Sequence, residues 1–449
     1  MGSLKTVYNL CQFGAKQSFR KLIKPQNSKL SVFRQIQKSG SWAKATAAHI
    51  PDLKPPEITK TFPSSHQSLK IGFEDNLASD FQFIWLRDNC QCEKCIHPQN
   101  KQKMLDTVSL DINIKPISYY ITETGSLKII WPDGDGGEHV SLYDPQWLHK
   151  CGKDFELDSY DSFHDALPRM ITWNGEKIKE SKPEINYNDV METEEGLKTW
   201  LEMIYKYGLA IIRNVPCEKG EVIKVVERVA YVKKTKWGSS FDVLCEPIQN
   251  DPTHLAFSGM YLEHHTDMNY LEKSPGLQAL HCLKASASED EDSIGGQSFF
   301  VDGFYIAKWL QNEHPSSFHV LSTTPVEFKI YSHNMEYCNH QYVLCCNRTG
   351  EMREVHYNTR TMAPLKGPAD SVQPFYEAYK LLGMKMREKE SEFAFNLVPG
   401  DLVAFNNRRI LHGRTSFDPR RMSRHLEGCY GDIDEVITRY RSFVKAEKL

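Results

Sequence analysis

The first 51 residues contain no aspartate and no glutamate, yet carry nine basic side chains: Lys5, Lys16, Arg20, Lys21, Lys24, Lys29, Arg34, Lys38 and Lys44. The formal net charge of the 449-residue chain is −3, so everything after the leader carries −12. So acidic a remainder repels a phosphate backbone and argues against nucleic acid as the main partner. Also missing is an apolar run long enough to cross a bilayer, so no membrane partner is expected. Nor does the cysteine pattern read as a disulfide framework. The chain has 12 cysteines, but two are adjacent (Cys345, Cys346) and three crowd together at Cys90, Cys92 and Cys95. In a long chain with no secretory signal, this usage points to reduced thiols and to metal.

A basic, acid-free start with scattered serine and glutamine has the composition of a mitochondrial targeting leader, assigned to residues 1–51. The expected location is the mitochondrial matrix, with the cytoplasm as the alternative. Pro51, Pro55, Pro56 and Pro63 among polar residues suggest a linker over 52–64. Hydrophobic residues make up 40% of the chain and charged residues 25%, values of a globular protein with a substantial core.

From 65 to about 160 the pattern reads as a small, strand-rich domain. Phe81, Phe83 and Trp85 alternate, and Ile129-Ile130-Trp131 leads into a Pro132-Asp133-Gly134 turn. A larger unit is expected over 185–449. There Thr193 is placed to cap a helix whose apolar face is Leu197, Trp200, Leu201, Ile204 and Tyr205, and Gly208 is placed to stop it. Leu209–Val215 then reads as a buried strand. Short strand-like runs follow at 277–283, 299–301, 343–346, 393–397 and 402–405, interrupted by one helix through Val372, Phe375, Tyr379, Leu382 and Met386. Many short strands with Pro-Gly-Asp turns imply a mainly β, α+β architecture of the jelly-roll kind.

Two histidines and one carboxylate on one face of a metal ion leave positions open for chemistry, the arrangement of non-haem Fe(II) oxygenases. Its usual sequence form is His-x-Asp/Glu with a second histidine far downstream. Two segments qualify: His265-Thr266-Asp267 and His425-Leu426-Glu427. No histidine follows the second, whereas His412 follows the first, in Ile410-Leu411-His412-Gly413-Arg414. Alternation along a strand would put His265 and Asp267 on one face. A 2-oxoglutarate co-substrate would need a cation for its distal carboxylate, and an arginine fork matches a carboxylate best. Arg424, twelve residues after His412, is the first candidate; Arg414 and the pair Arg420-Arg421 compete.

Several ordered motifs resemble the γ-butyrobetaine and trimethyllysine dioxygenases. They are His265-Thr266-Asp267; Gly276 through Lys284; Gly295-Gly296; Val301-Asp302-Gly303-Phe304; Pro399-Gly400-Asp401; Asn407-x-Arg409-x-Leu411-His412-Gly413-Arg414; and Ser423 through Gly428. Upstream, Trp85-Leu86-Arg87-Asp88-Asn89-Cys90-x-Cys92-x-x-Cys95 and Trp131-Pro132-Asp133 match the same family. The resemblance spans about 65–445. It implies a double-stranded β-helix (jelly-roll) catalytic domain behind a small zinc-binding domain. Iron would sit on His265, Asp267 and His412, and 2-oxoglutarate would lie against Arg424 and Leu280. A structural zinc is expected on Cys90, Cys92, Cys95 and His139, with His97 as the rival fourth ligand. Ascorbate is the expected reductant.

The substrate the resemblance implies is a small trimethylammonium compound. Residues 194–198 and 207–210 and the leader resemble the trimethyllysine enzymes, while Val372–Tyr376, Ser423–Gly428 and the cysteine cluster resemble the butyrobetaine enzymes. The expectation is therefore hydroxylation of γ-butyrobetaine to L-carnitine, with trimethyllysine second and a zinc-stapled binding protein without catalysis third. An aromatic cage of Trp237, Phe241, Phe257 and Tyr430 is expected around the cation, because a quaternary ammonium offers no N–H to a hydrogen-bond acceptor. Asn358 and His254 are expected at the substrate's carboxylate. The family's Tyr-Gly-x-x-Trp is Trp237-Gly238-Ser239-Ser240-Phe241 here, its next tyrosine is Phe257 and its asparagine is His254. A homodimer is the expected assembly if chains associate.

Overall fold

The computed structural model describes residues 56–447 except 135, 157–166, 246–258, 286–294, 333, 348–349 and 419–423. The leader, Phe257, His254 and the pair Arg420-Arg421 lie outside the described residues. The chain divides into two compact units between His149 and Lys150.

The first unit holds two three-stranded antiparallel sheets. One is β1 (Ile58–Ser65), β2 (Ser68–Phe73) and β3 (Ala78–Gln82); the other is β4 (Ser118–Ile121), β5 (Leu127–Asp133) and β6 (Gly137–Tyr143). Most of the expected linker is thus strand: β1 pairs with β2 from Ile58 to Ser65, Pro63 included. Phe81, Phe83 and Trp85 do not share one strand, as their alternation suggests. Only Phe81 is in a strand; Phe83–Asp88 is a short helix. Its end releases the chain into the cysteine turn, so the break in alternation places the metal ligands.

The second unit matches the jelly-roll expectation. A six-stranded sheet runs in the order β7 (Glu184–Asn186), β8 (Leu209–Arg213), β18 (Leu402–Asn406), β11 (Leu277–Ala285), β20 (Arg424–Gly431) and β9 (Ser240–Cys245). A four-stranded sheet runs β10 (Leu262–His265), β19 (Ile410–Arg414), β12 (Ser298–Asp302) and β17 (Phe393–Phe395). Only β7–β8 is parallel within these two sheets. A core containing Leu280, Phe300, Val403, Phe405 and Leu426 joins side chains of both sheets. At about 25 cal/mol per Å² of apolar surface, burying each such side chain contributes roughly 1.5–3 kcal/mol.

Helix Glu194–Tyr207 covers one face. The Thr193 hydroxyl accepts from Gly196 N at 2.9 Å, and Gly208 closes the helix with φ 75°. That left-handed value is costly for a residue with a Cβ. Its buried residues include the five apolar positions read from the sequence. Two helices, Gly303–Glu313 and Pro315–Thr323, and the hairpin of β13 (Pro325–Ser332) and β14 (Met335–Tyr342) join Ala369–Met386 on the other flank. The sequence pattern predicts only the last of these helices. A short ladder of β15 (Leu344–Cys346) and β16 (Met352–Val355) completes the strands.

Candidate active site and metal centre

His265 ends β10 and pairs directly with His412 in the middle of β19. Their rings lie 4.2 Å apart between centroids. Asp267 is not on the strand, as alternation had suggested; it falls in the bend that follows. The carboxylate still reaches both histidines, with His265 Nε2 at 3.3 Å from Oδ1 and His412 Nε2 at 3.7 Å from Oδ2. What holds it there is the chain opposite. Asp267 N donates to Asn407 Oδ1 at 2.7 Å, and Thr266 N donates to the Tyr357 carbonyl at 2.8 Å. Met268, the next residue, takes the left-handed region at φ 60°, a strained value for a non-glycine residue.

The electrostatics suit a cation. Burial alone would raise Asp267, but hydrogen bonding to His265 and the field of His412 hold its carboxyl well below the usual range. Burial, with His265 beside it, pushes the His412 imidazole down to about 3. The contact of His265 Nδ1 with the Glu263 carbonyl at 2.7 Å fixes the ring with Nε2 turned toward Asp267. One carboxylate and two imidazole nitrogens therefore converge on one point. These three side chains can hold one metal ion, and their donor set fits Fe(II). Asp267 Oδ2 also accepts from Gln278 Nε2 and from the Tyr430 hydroxyl, each at 2.9 Å.

The competing tripeptide is structural. His425 Nε2 lies 2.6 Å from Asp242, and Glu427 accepts from Gly220 N at 2.7 Å and from the Ser240 hydroxyl at 2.9 Å.

A cavity of about 430 Å³ opens from the three ligands. Arg424, buried at the start of β20, donates from Nη2 to the Ser298 hydroxyl at 3.0 Å, and both line the cavity. Arg414 also lines it, but its Nη2 donates to the Met260 carbonyl at 3.1 Å and its guanidinium lies 4.7 Å over the Phe417 ring. Leu280 and Asn358 line the cavity as well. Asn358 spends part of its amide on backbone: Nδ2 donates to Thr266 O at 3.3 Å and Oδ1 accepts from Arg360 N at 3.2 Å.

Trp237, Phe241 and Tyr430 are all on the cavity wall. Phe241 and Tyr430 stack on one another, centroids 5.1 Å apart and planes at 23°, so their facing surfaces are taken. Gly428 permits this approach: a Cβ there would lie 2.4 Å from the Phe241 ring. Arg360, Gln278, Tyr270 and Ser298 line the cavity but were missed in the sequence. The only signal for Arg360 was its nearness to Asn358; for Gln278 it was a polar residue within the otherwise apolar run Leu277–Leu280.

In the first unit, His139 Nε2 lies 3.3, 3.7 and 3.6 Å from the sulfurs of Cys90, Cys92 and Cys95. A tetrahedral zinc with Zn–S near 2.3 Å and Zn–N near 2.0 Å sets S···N at about 3.5 Å. The cluster therefore fits zinc. Burial pushes the Cys90 thiol up to about 12, a cost that a bound cation reverses. His97 faces its own turn, where its Nδ1 accepts from Gln99 N at 3.3 Å.

Residues 174–430 match the family model described as "Taurine catabolism dioxygenase TauD, TfdA family", and residues 61–149 match "Gamma-butyrobetaine hydroxylase-like, N-terminal". The chain is 32% identical over 371 residues to the gamma-butyrobetaine dioxygenase of Pseudomonas sp. (strain AK-1), covering 83% of this chain and 92% of that one. It is also 32% identical over 373 residues to the mitochondrial trimethyllysine dioxygenase of Bos taurus, covering 80% and 82%. To the human gamma-butyrobetaine dioxygenase it is 32% identical over 382 residues, covering 83% and 93%. With this geometry and these relatives, the chain belongs to the TauD/TfdA family of iron- and 2-oxoglutarate-dependent dioxygenases, with a gamma-butyrobetaine-hydroxylase-like N-terminal unit.

Proposed function

We propose that this dioxygenase hydroxylates γ-butyrobetaine to L-carnitine, with N6-trimethyllysine as the second candidate substrate. The observation that carries the reading is one cavity joining the His265–Asp267–His412 cluster, an arginine–serine pair and an aromatic wall. His265, Asp267 and His412 hold the metal on one face. Iron with 2-oxoglutarate supplies the oxidising power: the co-substrate leaves as succinate and CO₂, and one oxygen atom of O₂ enters a C–H bond.

The protein's own part is placement. Arg424, backed by Ser298, pairs with the distal carboxylate of 2-oxoglutarate, while Leu280, Phe300 and Leu426 keep water from that end. Aromatic faces led by Trp237 attract the trimethylammonium group, each worth roughly 0.5–2 kcal/mol. Phe241 and Tyr430 form the apolar wall beside it. Asn358 and Arg360 stand where a substrate carboxylate can be held. Zinc on Cys90, Cys92, Cys95 and His139 staples the first unit. Residues 1–51 direct the chain to the mitochondrial matrix, a reading supported by the trimethyllysine dioxygenases among its relatives, which are named mitochondrial.

The test is a turnover screen of the full chain with Fe(II), 2-oxoglutarate, O₂ and ascorbate as reductant. γ-Butyrobetaine, trimethyllysine and the neutral tert-butyl isostere of each are compared by product mass. One added oxygen on γ-butyrobetaine, matched by succinate, is the expected result. Faster turnover of trimethyllysine would move the enzyme to that step. Equal turnover of charged and neutral compounds would overturn the cation reading.

A further inference from the structure

Trp237 does not present an empty face. The Lys236 ammonium lies 4.3 Å from the Trp237 ring, 5.1 Å from that of Tyr337 and 5.8 Å from that of Tyr270. Its Nζ is buried and has no hydrogen-bond partner among the described residues. The three rings come from three separate segments: the turn before β9, the bend after Asp267, and β14. The turn is tight. Thr235 N and Gly238 O, and Gly238 N and Thr235 O, bond at 2.9 and 3.0 Å, so Lys236 and Trp237 are its two central residues. Trp237 and Tyr270 also line the active-site cavity.

This box is a poor home for a lysine and a good one for a methylated ammonium. A primary ammonium has three N–H donors, and burying them without acceptors forfeits hydration that the rings only partly return. A quaternary ammonium has no donors to lose and gains from every face. We propose that Trp237, Tyr270 and Tyr337 form the cation box of the cavity, and that Lys236 is its displaceable occupant, expelled when a trimethylammonium group enters. Lys236 is then a specificity-determining residue. It keeps the box closed and charged in the free protein, and rejects neutral groups that cannot replace a cation. The inference rests on the trimethylammonium reading given above, but it can be tested without turnover.

The probe is tetramethylammonium, titrated into the full metal-loaded chain by calorimetry. Lys236→Met keeps the stem and removes the competing charge, so it should bind the probe roughly tenfold more tightly than the unmutated protein. Lys236→Arg keeps a cation and should bind close to the unmutated value. In unmutated protein carrying 13C-lysine, the Lys236 ε-methylene should resonate upfield under the three rings and return to the ordinary position on saturation. That second measurement stands even if Lys236→Met does not fold. An ε-methylene that keeps its ring shift at saturation, or probe affinity unchanged in Lys236→Met, overturns the proposal. Turnover of trimethylammonium compounds with Lys236 immobile would sink only this inference. Displacement of Lys236 by the probe without turnover of any such compound would sink only the substrate assignment.

Discussion

Asn407 grips the backbone of Asp267 at two points: its Oδ1 accepts from Asp267 N at 2.7 Å and its Nδ2 donates to Asp267 O at 3.0 Å. The same amide donates to Pro275 O at 3.0 Å, so the loop joining β18 to β19 fixes a metal-ligating carboxylate 140 residues upstream. Because β10 ends at His265, nothing in strand geometry holds Asp267; Asn407 does. Asn407→Ala should therefore weaken Fe(II) about 10–100-fold, the usual cost of losing a group that orients a ligand. Anaerobic metal titration measures it, and the zinc content of the first unit should not change.

Tyr430 has a double role at the same carboxylate. Burial and the neighbouring Asp267 raise its phenol well above the ordinary value, so it remains a donor to Asp267 Oδ2. Tyr430→Phe removes that bond and keeps the stack on Phe241. A hydrogen bond to a charged group is worth about 1.5–3 kcal/mol. Iron affinity should fall at least tenfold while the melting temperature of the metal-loaded protein drops. An unchanged metal affinity would reduce Tyr430 to a wall residue.

Arg409 and Asp302 form the buried ion pair that braces β19 against β12. Arg409 Nε and Nη2 donate to Asp302 at 3.0 and 2.8 Å, and the guanidinium also reaches the carbonyls of Lys206 and Ile171. Removing one partner of such a pair strands the other, at about 3–5 kcal/mol. Asp302→Ala should lose that much in denaturant unfolding of the full chain, whereas an exposed pair such as Lys70–Asp80 should cost less than about 1 kcal/mol.

These sites differ in how far the chain itself announces them. The histidines were legible because His-x-Asp and a late histidine are local patterns with a metal's geometry behind them. Thr193 and Gly208 were legible because caps act within one turn. Helix Phe83–Asp88 was not: three aromatics at alternate positions satisfy a strand period equally well over so short a stretch. β1 was hidden by Pro63 within it and Pro55-Pro56 just before it; an outermost strand of a sheet tolerates a proline. Lys236 and Arg360 were hidden for another reason. Each matters through partners brought together from distant segments, and a lysine beside a tryptophan has no sequence signature of its own.

The zinc cluster makes a prediction about the first unit alone. His139 faces Cys90 because β6 pairs His139 with Trp131 on β5, while the short helix delivers the three cysteines. His139→Ala should lower zinc affinity and leave the site substoichiometric under mild chelation, since it opens one of the four positions of a closed structural site. His97→Ala should leave zinc binding unchanged. Chelation should lower the melting of the first unit, because the binding free energy of a structural metal is folding free energy. Undiminished zinc in His139→Ala would remove it from the ligand set.

Arg424 carries the sharpest split between co-substrate and substrate. It begins β20, with neighbours on both sides: Ala285 on β11 and Cys245 on β9. Held from both strands and bonded to Ser298, its fork is fixed before anything binds. A carboxylate paired with a fixed, buried guanidinium loses about 2–5 kcal/mol when that partner is truncated. At 1.4 kcal/mol per tenfold, Arg424→Ala should raise the 2-oxoglutarate concentration for half-maximal rate by a factor of about 30 or more. Iron affinity should stay within about threefold, because the metal's donor atoms come from His265, Asp267 and His412. Arg424→Lys should recover only part of the loss, since a point charge cannot bond a carboxylate at two places. Arg360→Ala should behave in the opposite sense, raising the KM of the organic substrate and leaving that of 2-oxoglutarate alone. Arg414 is engaged by Met260 O and stacked on Phe417, so Arg414→Ala should cost stability more than 2-oxoglutarate affinity. If instead Arg414→Ala raises the 2-oxoglutarate requirement and Arg424→Ala does not, the co-substrate lies against the other arginine.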